Sequence, residues 1–181
     1  EPLVVDKSCT VIAQSYFEGK PVSKAVSLKL EKVTPKQAAQ VLLVIEGTLK
    51  MSVFNGDWDE MPNFDTMKSE VIEHVRAISP EPEGELQGRL FEGYIKVDTD
   101  DMYIFALTSD DGSNLYVHDE LIIDNDGLHG PQQMVGSIAL EKGWHPIRVE
   151  WFNKTGGATL TLRVGTLGGE LHDVDPSMIA R

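Results

Sequence analysis

The sequence predicts an all-β fold, an antiparallel barrel or sandwich. Two observations carry this. First, the segments between turns alternate side chains with period two: Val26, Leu28 and Leu30 against Ser27, Lys29 and Glu31, and Ile147, Val149 and Trp151 against Arg148 and Glu150. Second, clusters of Gly, Asp, Asn and Pro cut these segments apart, as at residues 109–112, 124–127 and 153–157. The 181 residues include 41% hydrophobic side chains, three Trp, six Phe and four Tyr. That is enough for one domain with a buried core, or one domain plus a fragment.

In chain order, residues 3–5, 10–16 and 25–33 read as strands, with a turn at Glu18, Gly19, Lys20 and Pro21 joining the second to the third. Thirty-odd residues cannot build an independent core, so these strands are expected to pack against the main domain or another copy. Cys9, the single cysteine, is expected as a small buried hydrophobe and cannot form an internal disulfide. Residues 34–40 read as a linker with room for one helical turn, residues 41–45 as a continuous apolar run, and residues 49–54 as a strand. Met67, Val71, Ile72, Val75 and Ile78 fall at helical spacing, but the same segment is acceptable as an extended approach into a strand. After a loop at residues 80–85, residues 86–97 form a strand centred on Leu90 and Phe91, with Gly93 as a bulge. Residues 98–101 turn into a strand at 103–108 whose two faces are both largely apolar, so it is central. It stops at Ser109, Asp110, Asp111 and Gly112, where Gly112 is expected to supply a positive φ. A strand at 114–123 ends in a second turn, Asp124, Asn125, Asp126 and Gly127. Residues 131–135 read as loop, 137–140 as a short strand, and 147–152 with 160–164 as a hairpin turned at 153–157. The tail, with Pro176 and Met178, is expected to close over the domain.

Three ordered blocks resemble the protective-antigen-fourteen (PA-fourteen) domain family. One is an aromatic strand followed by Ser109-Asp110-Asp111-Gly112-Ser113, a second strand, Asp124-Asn125-Asp126-Gly127 and a loop with His129 and Gly130. The second is the block from Phe54 to Phe64, which contains Gly56, Trp58, Asp59 and Pro62. The third runs from Leu140 through Gly143, Trp144 and His145 to Phe152. The resemblance covers roughly residues 40–178 and implies the β-barrel or sandwich of that family over residues 36–181, with an extended approach into a strand, in place of a helix, at residues 67–78. Residues 1–35 are similar to the last strands of the sandwich module in chitobiase and β-hexosaminidase C-terminal regions, so the fold carries extra N-terminal strands. One departure stands out: His118 and Asp119 occupy positions where the family usually shows Asp-Gly.

The composition excludes several function classes. A net charge of −13 opposes binding to nucleic acid or an anionic membrane surface, and no apolar run is long enough to insert in a membrane. The start at Glu1 and Pro2, inside apparent structure, reads as a piece of a longer protein. No Gly-x-Ser-x-Gly, phosphate loop, His-Glu-x-x-His or Cys-x-x-Cys motif is present, and the five histidines do not pair at zinc spacing. An EF-hand fails too: placing Gly127 at loop position six puts Ile122 and Gln133 where Asp and Glu are required. Asn153, Lys154 and Thr155 form a glycosylation sequon that a hairpin tip accounts for equally well.

Calcium is the better-motivated cofactor, since it takes six to eight oxygen ligands on tight loops. In fungal adhesins of the family the paired aspartates hold calcium and the ion binds sugar hydroxyls. The resemblance therefore implies Asp110 and Asp111 as metal ligands and Asp110, Asp111, Asp126 and His129 as the carbohydrate-binding set. Those adhesins add a loop asparagine, for which Asn153 is the available residue. The plainer readings stand beside these: a turn held by carboxylate-to-backbone bonds for the aspartates, a histidine tying down its own loop for His129, and a structural anchor for Trp58. The expected function is a non-catalytic carbohydrate-binding or substrate-positioning module, with a glycan or polysaccharide and a parent catalytic domain as partners. The implied parent is a β-hexosaminidase-like glycoside hydrolase, extracellular, periplasmic or at a bacterial cell surface. The alternative is a structural spacer or protein-interaction domain.

Overall fold

The alternating segments pair as antiparallel sheets in a computed structural model that describes residues 4–41 and 43–181. Contacts divide the chain at Thr34, giving units Glu1–Thr34 and Pro35–Arg181. In the first unit β1 (Cys9–Ala13) is followed by the short strands β2 (Tyr16–Phe17) and β3 (Lys20–Pro21), then β4 (Val26–Leu30). β1 pairs with β4 and β2 with β3, and this ribbon has one layer only. Ile12, Phe17, Val26 and Leu28 are exposed, and Cys9, expected as a small buried hydrophobe, is only partly buried, since its sheet has two strands and no core of its own among the described residues. The strand expected at residues 3–5 begins outside the described residues, and Val4 and Val5 belong to no strand.

The second unit holds β5 (Leu49–Asn55), β6 (Val71–Val75), β7 (Gln87–Val97), β8 (Asp101–Asp110), β9 (Ser113–Val117), β10 (Glu120–Asn125), β11 (Gln132–Leu140), β12 (Gly143–Asn153), β13 (Thr159–Thr166), β14 (His172–Asp173) and β15 (Ile179–Ala180). One sheet runs β10-β9-β12-β7-β5-β6, with β15 also on β7; the other runs β11-β8-β13-β14. The inward residues of both sheets meet in one core. Phe91, Leu115, Val149 and Trp151 come from the first sheet, and Phe105, Leu107, Leu160 and Leu162 from the second. Each such side chain contributes roughly 1.5–3 kcal/mol through removal from water. The fold is the expected all-β sandwich, and β8 is central in its sheet.

The details differ from the sequence reading in ways that have physical causes. Residues 67–78, by contrast, hold the extended approach into a strand that the family resemblance implies, with β6 completing the free edge of β5 from Val53↔Val71 to Leu49↔Val75. Residues 34–40 make no helical turn; Lys36 bridges to Leu140 and Ala39 donates to the Trp144 carbonyl. The apolar run at 41–45 includes residue 42, which is outside the described residues. Its end exchanges two backbone bonds between Ile45 and Arg181, so the tail is sewn back onto the sheet. The strand expected at 114–123 is a hairpin. Its two-residue loop is His118 and Asp119, with His118 at φ 53° in the conformation such loops require. Residues 132–135 of the expected loop belong to the nine-residue β11, paired along β8. The expected hairpin of 147–152 with 160–164 does not form: β7 and β9 occupy both edges of β12, so β13 crosses to the other sheet beside β8. Gly93 is no bulge. Its register with Ile147 is regular, and a Cβ there would collide with the Ala180 carbonyl of β15.

A second, smaller cluster sits on the outer face of the first sheet. Phe54, Phe64 and Leu90 pack with Trp58, Met61 and Met67. Trp58 stands edge-on to Phe64, with centroids 6.1 Å apart. Trp58 thus has the anchoring role, and it holds the loop at residues 56–65 against the sheet.

Candidate functional site

The two acidic turns lie at one end of the sandwich because a buried polar knot joins them. Ser109 Oγ and Ser113 Oγ are 2.7 Å apart, Asn125 Nδ2 donates to Ser109 Oγ at 2.9 Å, and Gln132 Nε2 donates to Asn125 Oδ1 at 2.8 Å. The two serines of the motif therefore serve the fold. Gly112 has no positive φ, contrary to expectation. It is needed for close approach: a Cβ there would sit 2.5 Å from the Phe152 ring and 2.9 Å from the Gly127 nitrogen. The positive φ is at Gly127, in the second turn.

Asp111 is buried, and both its carboxylate oxygens accept backbone bonds. Oδ1 takes the His129 N–H at 3.1 Å and Oδ2 the Lys154 N–H at 2.9 Å. The Asp110–Asp111 peptide is cis. The Asp110 backbone carbonyl accepts from Trp151 Nε1 at 3.1 Å, while its carboxylate accepts no bond among the described residues. Burial and the neighbouring Asp111 push the Asp110 pKa up, against the opposing pull of His129. Asn153 is also buried. Its Nδ2 donates to the Gly84 carbonyl at 3.0 Å, and its Oδ1 has no partner among the described residues. Lys154, next in sequence, pairs with Asp57 at 3.1 Å and Asp59 at 2.6 Å, tying the Trp58 loop to this end. Asp126 is directed elsewhere: its Oδ1 accepts from Met61 N and Gly127 N, and it faces a groove beside the turn. The structure thus joins Asp110, Asp111 and His129 and turns Asp126 aside.

His129 lies with Nδ1 2.9 Å from the Gly130 carbonyl and Nε2 3.0 Å from the Asn125 carbonyl. Both contacts need N–H donors, so this geometry favours the imidazolium. Burial pulls its pKa down, but the two carbonyl bonds and the carboxylates of Asp111 and Asp110 outweigh it, and the net shift is upward. His118 goes the other way, lowered by burial, His145 and Lys36. The signs follow. The His129 contribution to stability is present below the ordinary 6.5 and is lost as pH rises through its raised folded value. The His118 contribution is present above 6.5 and is lost as pH falls toward its lowered one. Titration of the imidazole proton signals by NMR is expected to place His129 above and His118 below the ordinary value.

Asp126 faces a groove of about 530 Å³ between β9, β12 and residues 61–65. Its floor is the outward row of Asn114, Tyr116, Arg148 and Glu150. Sequence reasoning missed these residues, because polar side chains alternating with core positions read as an ordinary solvated face. The signal was the pairing of two such rows with the Pro62 block, which the fold lays over them. Among the described residues no three His, Cys, Asp or Glu side chains cluster as a metal site, and no helix is long and apolar enough to cross a membrane.

A family profile described as PA14 domain matches residues 78–177. No curated protein sequence matches the chain. Among solved structures, the chain is similar to the PA14 domain of the MpAFP antifreeze protein, with TM-score 0.66 and 14% identity over 83% of this chain and 95% of that one. It is similar to a PA14 sugar-binding domain from an RTX adhesin, with TM-score 0.64 and 14% identity over 75% of this chain and 98% of that one. A subtype-switched epithelial adhesin A domain (Epa9-CBL2Epa1) from Candida glabrata, solved with β-lactose, gives TM-score 0.59 and 11% identity over 80% of this chain and 92% of that one. At these identities the likeness is one of fold.

Proposed function

This chain belongs to the PA14 domain family, and from that premise we propose that it is a non-catalytic carbohydrate-binding module whose loop end holds a sugar with the help of calcium. The observation that carries the reading is the donor set there: the unbonded Asp110 carboxylate, the Asp111 carboxylate beside it, and the orphaned Asn153 oxygen. These are hard oxygen donors of the kind calcium takes, so the residues fit the ion, and Asp110, Asp111 and Asn153 would hold it. When bound, calcium supplies a cation whose remaining positions accept hydroxyl oxygens. The protein's own part is positional. Asp111 fastens the His129 and Lys154 segments to the turn, and Lys154 brings the Trp58 loop to the same end. His129 serves the sugar by fixing its loop and by placing a positive charge near the aspartates. Sugar-binding proteins among the structural neighbours support the ligand class.

On the same footing we place the module in a larger, secreted or surface-held glycoside hydrolase of β-hexosaminidase type, with residues 1–35 as the chitobiase-like fragment. A second reading, a protein-interaction or spacer role, draws on one observation: the apolar side chains of Ile12, Phe17, Val26 and Leu28 are exposed in the first unit.

The test is a thermal melt in calcium and in chelator, followed by a glycan screen in both. Calcium at a hundred times its Kd is expected to stabilise by about 2.7 kcal/mol, a rise of several degrees. Asp110→Asn is expected to suppress it. An unchanged melt removes the ion and leaves a sugar module; a blank screen in both conditions removes the module.

A further inference from the structure

The groove over β9 and β12 is separate from the loop-end aspartates, since neither Asp110 nor Asp111 lines it. Asn114 and Glu150 are register partners on its floor, and both are more than nine-tenths buried. Asn114 Nδ2 reaches Glu150 Oε2 at 3.4 Å, a long bond, and Asn114 Oδ1 has no partner among the described residues. A buried amide oxygen without a donor destabilises the fold unless something brings one. Arg148 does not bring one: its bonds go to Asp65 at 2.8 Å and Glu150 at 2.7 Å. Around the groove four carboxylates, Asp65, Asp119, Asp126 and Glu150, face one guanidinium among the described lining residues. His118 Nε2 is 2.9 Å from Nδ1 of the buried His145, and burial and that neighbour pull the His118 pKa down, which disfavours a charge on it. Carboxylates thus outnumber cations among the described lining residues. The occupant that answers this excess carries hydrogen-bond donors and a positive charge, and a volume near 530 Å³ suits a small molecule.

We propose that this groove is a second ligand site, which takes a primary ammonium on a small hydroxylated scaffold, that is, an amino sugar with its amine free. The scaffold rests on the carbohydrate reading of the domain; the preference for the ammonium rests on the orphaned Asn114 oxygen and the unbalanced carboxylates. The ammonium pairs with Glu150, a turn of the Asn114 amide brings its buried oxygen to the same donor, and ring hydroxyls find acceptors at Asp119 and Asp126.

The test is an NMR titration of the full chain in chelator with glucosamine, and separately with glucose and N-acetylglucosamine. Glucosamine is expected to shift the signals of Asn114, Tyr116 and Glu150 and to bind about ten-fold more tightly than either neutral sugar. Glu150→Gln is expected to remove most of that difference. Because Glu150 also holds Arg148, Asp119→Asn on the exposed hairpin turn is the companion variant, and it is expected to weaken glucosamine several-fold and glucose by clearly less, since the amide oxygen still accepts a hydroxyl while the charge is lost. Equal binding of the three sugars, shifts confined to Asp111 and His129, or no binding of glucosamine would each overturn the proposal. None of these outcomes touches the loop-end reading, which fails separately if calcium-dependent binding survives in Asp110→Asn.

Discussion

Arg89→Met is expected to lower the stability of the second unit by about 3 kcal/mol, read as a fall in melting temperature of roughly 6–12 °C. Arg89 is one of the largest fully buried side chains, on β7. Its Nη1 donates to the carbonyls of Ser79 at 3.0 Å and Glu81 at 2.8 Å, its Nη2 to the Pro82 carbonyl, and Nε and Nη2 both reach Gln87 Oε1. The guanidinium also lies 5.4 Å from the centre of the Trp151 ring. Burial lowers its pKa, opposed by Glu81 and Glu73, but a guanidinium keeps its proton across the working range. The charge is thus met by backbone dipoles that curl the loop at residues 79–82 around it. Methionine keeps the stem and loses all of these donors, so the inward carbonyls lose their partners and the loop comes free. The effect reaches the site, because the next turn of that loop carries Gly84, whose carbonyl holds Asn153. Arg89→Lys, with one compact donor group in place of a fork, should fall between. A loss below about 1 kcal/mol would mean that the loop holds itself.

The sequence was a good guide to anything decided locally or by alternation. The acidic turns, the central strand and the anchoring of Trp58 all follow from residues close to one another. It was a poor guide where the deciding contact comes from far along the chain. Gly112 looked like a residue chosen for φ, but what demands a glycine is the Phe152 ring, forty residues later. The segment at 147–164 has every mark of a hairpin, yet the edges of β12 are taken by β7 and β9, and no local signal carries that. His118 and Asp119 hid a tight turn because neither is a glycine, although histidine is among the few side chains that enter the left-handed region. Of the site, Asp110, Asp111 and His129 were legible as a motif. The groove was not, because its character depends on a loop from residues 61–65 folded over an outward row that alone reads as solvent-facing.

The paired aspartates make the sharpest test, since their roles differ although they are neighbours. In chelator, Asp111→Ala is expected to cost about 3 kcal/mol, because it strips the acceptor from two backbone N–H groups and unties His129 and Lys154 from the turn. Asp110→Ala in chelator is expected to be neutral or stabilising at pH 7. Its carboxylate accepts no bond among the described residues, and burial and Asp111 raise its pKa. A raised carboxyl pKa means that the charged form opposes folding above that pKa. The benefit of removing it should therefore fade as pH falls toward the ordinary carboxylate value of 3.8. In calcium the sign reverses for Asp110 alone: the wild type gains the binding energy of the ion, the variant does not, and Asp110→Ala becomes the less stable protein. Removing both aspartates at once would mix the two effects, so single variants melted in chelator and in calcium are the informative set. A structural turn predicts that both variants lose stability to the same degree in both solutions. An ion site built on a structural aspartate predicts a large, ion-independent loss at Asp111 and a change of sign at Asp110.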